Sequence, residues 1–342
     1  MKTSYSFLAT LMALGMAFSV SCSHPEDLQE TPNSPGRSSS SQKWASGTIP
    51  ITIENLFPEG LEYDKQMKRF LVGSFTQGTI GFVEEGGAYT KWIDDPDIPS
   101  TTGIHIDLPR KRLLVAVADL GLSTKSSEST AFMLAGLAAY DLRSGERLFY
   151  TRLDALLPGM PHFANDVTVD QQGNAYVTDS FTGAIYKVDT DGNASVFYMN
   201  EALSPAPGGF GLNGIEYDSR GYLLVSKLDE NLLLRFPIDD PAAYSQISVP
   251  VALNGPDGLT LKNNNELVVV NNDFGGEQGN IITLRSKDMW QSAEVSDVYY
   301  TGATFPASAA IRPGGDVFVL NSYLHVLIGG GTQPRFEIVE VR

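Results

Sequence analysis

Six degenerate copies of one motif constrain this chain more than any other feature. Four of the six open with a polar residue, Gly and an apolar residue, and every copy then runs through a turn into a β-rich stretch. EGLEYDKQMKRFLVGSF starts at Glu59, TGIHIDLPRKRLLVAVAD at Thr102 and NDVTVDQQGNAYVTDS at Asn165. NGIEYDSRGYLLVSK follows at Asn213, DGLTLKNNNELVVVNN at Asp257 and ASAAIRPGGDVFVLNS at Ala307. The starts lie 43, 63, 48, 44 and 50 residues apart. A period near 40 to 50 built from short strands predicts a β-propeller rather than a helical solenoid. Each copy supplies two strands, and the stretch before the next copy supplies two more, as in the hairpin of AIYKVDTDG and ASVFYMN around Asp191-Gly192. The expectation is an all-β, six-bladed β-propeller with four-stranded blades over residues 48–342, its blades set around a central metal-binding channel. GTIPITIE near the start and FEIVEVR at the end are both strand-like and are expected to complete one blade together.

The copy starts converge on one spot, because the first strand of every propeller blade begins beside the channel. Glu59, Asn165, Asn213 and Asp257 are oxygen donors there, whereas Thr102 and Ala307 are not comparable ligands. Their combined charge of about −2 neutralises one divalent cation, and a mixed carboxylate and carboxamide set suits Ca2+, with another divalent cation as the alternative. Asn and Asp before Gly are also ordinary turn formers. Four donors at equivalent positions, one of them a Glu, favour the metal reading over the turn reading. A structural ion plugging the channel is the other alternative. Four His and one Cys leave no Cys/His zinc site and no intramolecular disulfide.

The segments PEGLEYD, ANDVTVDQQGNAYVTDS, GLNGIEYDSRGYLLVSK and GPDGLTL resemble the senescence-marker-protein/gluconolactonase/LRE-like superfamily of calcium-dependent six-bladed propellers. LAAYDLRSGERLF and the closing FEIVEVR are more similar to an NHL-like or strictosidine-synthase-like branch. The resemblance covers about residues 50 to 342 and implies that Glu59, Asn165, Asn213 and Asp257 are the metal ligands. It also implies hydrolysis of a lactone or other ester, with phosphotriesters as further substrates. His162-Phe163-Ala164 stands where gluconolactonases carry an Arg that helps hold the sugar, which argues against a sugar lactone.

Asp257 is the candidate base or nucleophile, and His162, three residues before Asn165, the second candidate for proton transfer. The ends of the second strands, Asp119, Asp179, Lys227, Asn272 and Asn321, are expected to rim the pocket. The long second unit inserts residues 120–136, whose Phe132, Met133 and Leu134 are candidates for a lid over an apolar part of the substrate.

Residues 1–22 carry a 14-residue apolar run before Ser21-Cys22 and are expected to be a signal peptide ending at a lipobox, with Cys22 the lipidation site. Residues 23–47 form a Ser/Pro-rich tether. The expected address is therefore outside the cytoplasm, as a bacterial lipoprotein in the periplasm or at the cell surface, otherwise as a secreted protein. The net charge of −16 disfavours nucleic acid. Membrane contact is expected only through the N-terminal lipid, the partner is a small-molecule substrate, and the protein is expected to be a monomer. The competing functions are a non-catalytic propeller that binds a small molecule, glycan or protein, and metal-free chemistry like that of strictosidine synthase.

Overall fold

The computed structural model describes residues 47–342, so the leader, Cys22 and nearly all of the tether lie outside the described residues. Among the described residues, twenty-four short strands, one five-residue α-helix at Leu324–Ile328 and a few 3-10 turns account for the regular structure. No helix among the described residues is long and apolar enough to cross a membrane.

The first strand of each repeat is innermost. Leu61–Asp64, Ser100–Asp107, His162–Val169, Leu212–Asp218, Pro256–Asn263 and Pro306–Ile311 pack side by side in that order, and the last returns to the first. The chain is thus an all-β propeller. Four four-stranded sheets stand alone, and the strands of the second and third repeats merge into one eight-stranded sheet. The merger is a short parallel pairing of His162 and Phe163 with Met133 and Leu134, in the last part of the insertion of the second repeat. The expectation of six separate blades is therefore met only in part.

Radial position explains the strand compositions. The second strands are sandwiched between neighbouring sheets and read as continuous apolar runs, so that every residue of Arg112–Ala118, RLLVAVA, is buried. The outermost strands face solvent on one side and turn polar: Glu294–Tyr300, EVSDVYY, has no fully buried residue. Close packing of the innermost strands explains the Gly in the repeat signature. A Cβ on Gly60 would collide with the carbonyl oxygen of Thr102, and one on Gly214 with the carbonyl oxygen of Asp257, each on the neighbouring first strand.

The ring is closed by the two ends of the described chain. Thr48–Ile51 pairs antiparallel with Phe336–Glu340, placing Ile51 opposite Phe336. Pro50 is tolerated because this strand is the outermost of its sheet and need not donate on its free side. Ile51 and Phe336 are fully buried, in a cluster with Phe57, Phe70 and Phe318 that spans the last and first sheets. Ile51→Ala is expected to destabilise the protein by about 2–5 kcal/mol through the cavity it leaves. Thermal and denaturant unfolding would measure this, and an unchanged midpoint would show that the closing strand contributes little.

Candidate functional site

Backbone irregularity, rather than regular strand, aims the key side chains. The pairing of first and second strands slips between Ala164 and Val167, between Leu212 and Ile215, and between Pro256 and Leu259. Asn165, Asn213 and Asp257 sit in these slips, and a bulge turns side chains out of the alternation that would otherwise place them against a neighbouring sheet. Glu59 stands two residues ahead of its strand, Leu61–Asp64. All four line one cavity of about 450 Å3 at the start of the first strands.

The four are buried, none more than 9% exposed. Glu59 Oε2, Asn165 Oδ1 and Asn213 Oδ1 have no hydrogen-bond partner in the protein. Buried oxygens without a donor are unusual, and three beside one another are more so. The amide of Asn165 is oriented by donation from its Nδ2 to Ser180 Oγ (3.1 Å), which leaves its oxygen free. Ser180 in turn donates to the carbonyl of Leu212 (2.6 Å). Asp257 Oδ2 accepts from Asn272 Nδ2 (2.7 Å), and Asn272 Oδ1 accepts from the amide of Phe274 (2.9 Å).

Burial pushes the Asp257 carboxyl up to about 7, with Asp166 adding repulsion, against hydrogen bonds from Asn272 and Asn213. Glu59 is lifted well above the usual carboxylate range by burial, then by the charges of Asp257 and Asp166. Unpaired oxygens and mutually repelling carboxylates are what a hard cation would satisfy, so the residues present fit a divalent ion bound by oxygen. Among the described residues, His, Cys, Asp and Glu alone form no cluster of three suited to a metal. The set depends on its two Asn.

The other sequence candidates are placed differently. His162 is 1% exposed and does not line the cavity. Its Nδ1 lies 2.7 Å from Asp179 Oδ2 and its Nε2 2.9 Å from the carbonyl of Leu157. Both partners are acceptors, so the ring is held as an imidazolium that ties the segment before its strand to Asp179. Of the five expected rim residues, only Asn272 lines the cavity. Asp179 accepts from the amides of Phe163 and Phe181 and from Tyr186 Oη. Asp119 accepts from Gly121 N, Ser126 Oγ and Thr130 Oγ1, and so organises the insertion. Lys227 Nζ pairs with Asp229 (2.7 Å) and Glu230 (2.9 Å). Asn321 accepts from Thr304 Oγ1 and donates to Glu337. These ends do reach the cavity face, but one layer out from the channel, where they cap loops. Phe132, Met133 and Leu134 do not line the cavity, whereas Leu120 at the root of the insertion does.

Sequence reasoning missed two features. Glu62, His105 and Glu216 follow three residues after the starts at Glu59, Thr102 and Asn213, and with Asp166 they line a second cavity farther along the same strands. Three of their carboxylate oxygens bind backbone amides: Glu62 that of Ile106, Asp166 that of Ile215 and Glu216 that of Leu261. Each amide belongs to the neighbouring first strand, so these carboxylates stitch the ring together. The second feature is an apolar wall above the four oxygen donors that includes Phe75, Phe163, Phe210 and Phe305. Its signal was present, since Phe163, Phe210 and Phe305 stand two or three residues before a copy start.

No family model and no curated protein matches the sequence. Solved structures do resemble it. The Malassezia sympodialis allergen Mala s 1 is similar with a TM-score of 0.68 at 17% identity, over 87% of this chain and 97% of the allergen. Regucalcin from Agrobacterium tumefaciens, described as a calcium-binding protein, gives 0.59 at 15%, over 86% and 94%. A gluconolactonase from Xanthomonas campestris gives 0.56 at 13%, over 85% and 87%. The neighbours thus include propellers of the superfamily whose motifs the sequence resembles, and at these identities the likeness is one of fold.

The geometry at His162 yields a stability prediction. Burial alone would lower its pKa, but the hydrogen bond and charge of Asp179 outweigh burial and raise it above 6.5. A raised imidazolium stabilises fully below the unfolded-state value of about 6.5, and the contribution is lost as pH rises through the folded value. His162→Ala is expected to cost about 3 kcal/mol at pH 6, with the deficit narrowing on the alkaline side. Unfolding midpoints of parent and variant at pH 6 and pH 9 would check this, and a deficit independent of pH would sink it.

Proposed function

We propose that this protein is a divalent-cation-dependent hydrolase of a lactone or other ester, built on a propeller of six units. The observation that carries the reading is the set of three unpartnered buried oxygens, on Glu59, Asn165 and Asn213, beside Asp257 in one cavity. The calcium-binding description of the regucalcin neighbour and the activity named for the gluconolactonase neighbour support it.

Glu59, Asn165, Asn213 and Asp257 would hold the ion, and Ca2+ suits the all-oxygen donors best. When bound, such a cation supplies positive charge beside the substrate carbonyl, where negative charge develops during hydrolysis. In this reading Asp257 takes a proton from an attacking water or attacks the carbonyl itself, a role supported by its burial in the cavity and by Asn272, which holds its Oδ2 (2.7 Å). In the water route, the water oxygen bonds to the carbonyl carbon, the proton passes to Asp257, and the C–O bond breaks. The alcohol then leaves with that proton. His162 has no part in this route, since both its ring nitrogens are occupied away from the cavity.

The apolar leader ending at Ser21-Cys22 supports export with a lipid anchor at Cys22. Calorimetric titration with CaCl2 is expected to show one site per chain. Asn213→Ala and Asp257→Ala should each weaken it at least tenfold, together with ester turnover. Absence of binding by the folded parent protein would overturn the cation set and favour a metal-free or purely binding propeller.

A further inference from the structure

The composition of the cavity wall deepens the proposed function: the ligand's turnover rests on that reading, whereas its chemical class rests on the wall alone. Among the described residues no Lys or Arg lines the cavity, so an anionic substrate would meet no side-chain counter-charge from them. Lys227, which sits nearby in sequence, has its ammonium committed to Asp229 and Glu230. The polar side chains of the wall are the four oxygen donors, Asn272 and His325. Asn272 is already engaged on both amide atoms.

That leaves His325. Its ring stacks parallel to Phe305, with centroids 6.0 Å apart and an interplanar angle of 18°. Its Nδ1 is buried without a protein partner. Gly275 makes room for the ring, since a Cβ there would collide with it. Burial holds the imidazole below its ordinary pKa and therefore neutral at pH 7. The rest of the wall is apolar and comes from several repeats, among them Phe75, Phe163, Phe210 and Leu327. Phe163, Phe181 and Phe210 pack on one another with centroids 5.1 to 5.5 Å apart, which makes this side of the wall a rigid aromatic surface. The mouth is apolar as well: Phe274 and Ile328 line it and are 56% and 61% exposed.

We infer that the substrate is a neutral ester or lactone with an aromatic or alkyl body, seated on the Phe163–Phe210 surface with the ester group toward Glu59 and Asp257, and that His325 makes the one wall contact to a polar atom. A polyhydroxylated sugar lactone does not fit this wall. Each hydroxyl left unpaired against a ring costs about tenfold in affinity, and a single imidazole cannot serve the several hydroxyls of a sugar. An apolar body gains with each methylene that leaves water.

The test uses the purified protein and two readouts. The first is fluorescence titration with the neutral apolar probe N-phenyl-1-naphthylamine, which needs no turnover. Saturable binding is expected, weakened about tenfold by Phe210→Asn and at least threefold by Ile328→Asn. Ile328 is exposed at the mouth, so its variant keeps the measurement informative if Phe210→Asn fails to fold. The second readout is hydrolysis in CaCl2 of 4-nitrophenyl acetate, propionate and butyrate beside D-glucono-1,5-lactone. The value of kcat/KM is expected to rise about fourfold per methylene, with the sugar lactone slower than every ester. Probe binding without hydrolysis of any substrate would uphold the apolar ligand class and overturn the hydrolase reading. No probe binding, or displacement of the probe by gluconolactone together with hydrolysis as fast as that of the butyrate, would overturn the apolar class.

Discussion

Closure of the ring governs everything inward of it. Each sheet packs its second and third strands against its neighbours, and the first strands touch one another around the channel, so a gap at any point would leave two apolar faces in water. The gap is avoided where Thr48–Ile51 takes the outermost place in a sheet whose other three strands come from the C-terminal end. Backbone hydrogen bonds fix that register, and the burial of Ile51, Phe57, Phe318 and Phe336 makes it cooperative with the first sheet. The four oxygen donors lie on separate first strands or just ahead of one, so their convergence is a consequence of closure rather than of any local motif.

Closure also sets the electrostatic problem at the centre. Glu59, Glu62, Asp166, Glu216 and Asp257 all approach the axis, and burial lifts every one of their pKa values. The fold resolves the problem differently along the strands. Glu62, Asp166 and Glu216 each accept a backbone N–H from an adjacent first strand, which anchors the carboxylate and ties two repeats together. At the cavity end, Glu59 has an oxygen with no such donor, and the amide oxygens of Asn165 and Asn213 share its condition. Along the strands the protein itself satisfies these carboxylates, whereas at the cavity end it leaves three neighbouring oxygens without a donor.

Which parts of the molecule could be read from the sequence depends on which interactions are local. The repeats, the apolar second strands and the convergence of Glu59, Asn165, Asn213 and Asp257 were legible, because periodicity and residue type carry them. The partial merger of two repeats was not, since it depends on how the insertion returns the chain beside Phe163. The roles of Asp119, Asp179, Lys227 and Asn321 were misjudged for a geometric reason. The ends of second strands do arrive at the cavity face, but the first strands and their preceding loops occupy the channel ahead of them. These polar side chains therefore turn to loop amides, hydroxyls and charges within reach. His162 was misjudged similarly: a histidine three residues from a ligand invites a catalytic reading, yet its strand directs the ring outward to Asp179 while the slip at Asn165 directs the next polar side chain inward.

The positions of His162 and Phe163 show how construction and function share residues. Asp179 accepts from the His162 ring through one oxygen and from the Phe163 amide through the other, so one buried carboxylate fixes both the imidazolium and the start of the strand. That strand start carries the Phe163 ring into the cavity wall and, two residues on, Asn165 toward the other donors. A change at Asp179 would therefore move the apolar wall and one oxygen donor together. Among the second-strand ends, Asp179 thus acts on the cavity through the first strand it holds, one remove from the wall itself.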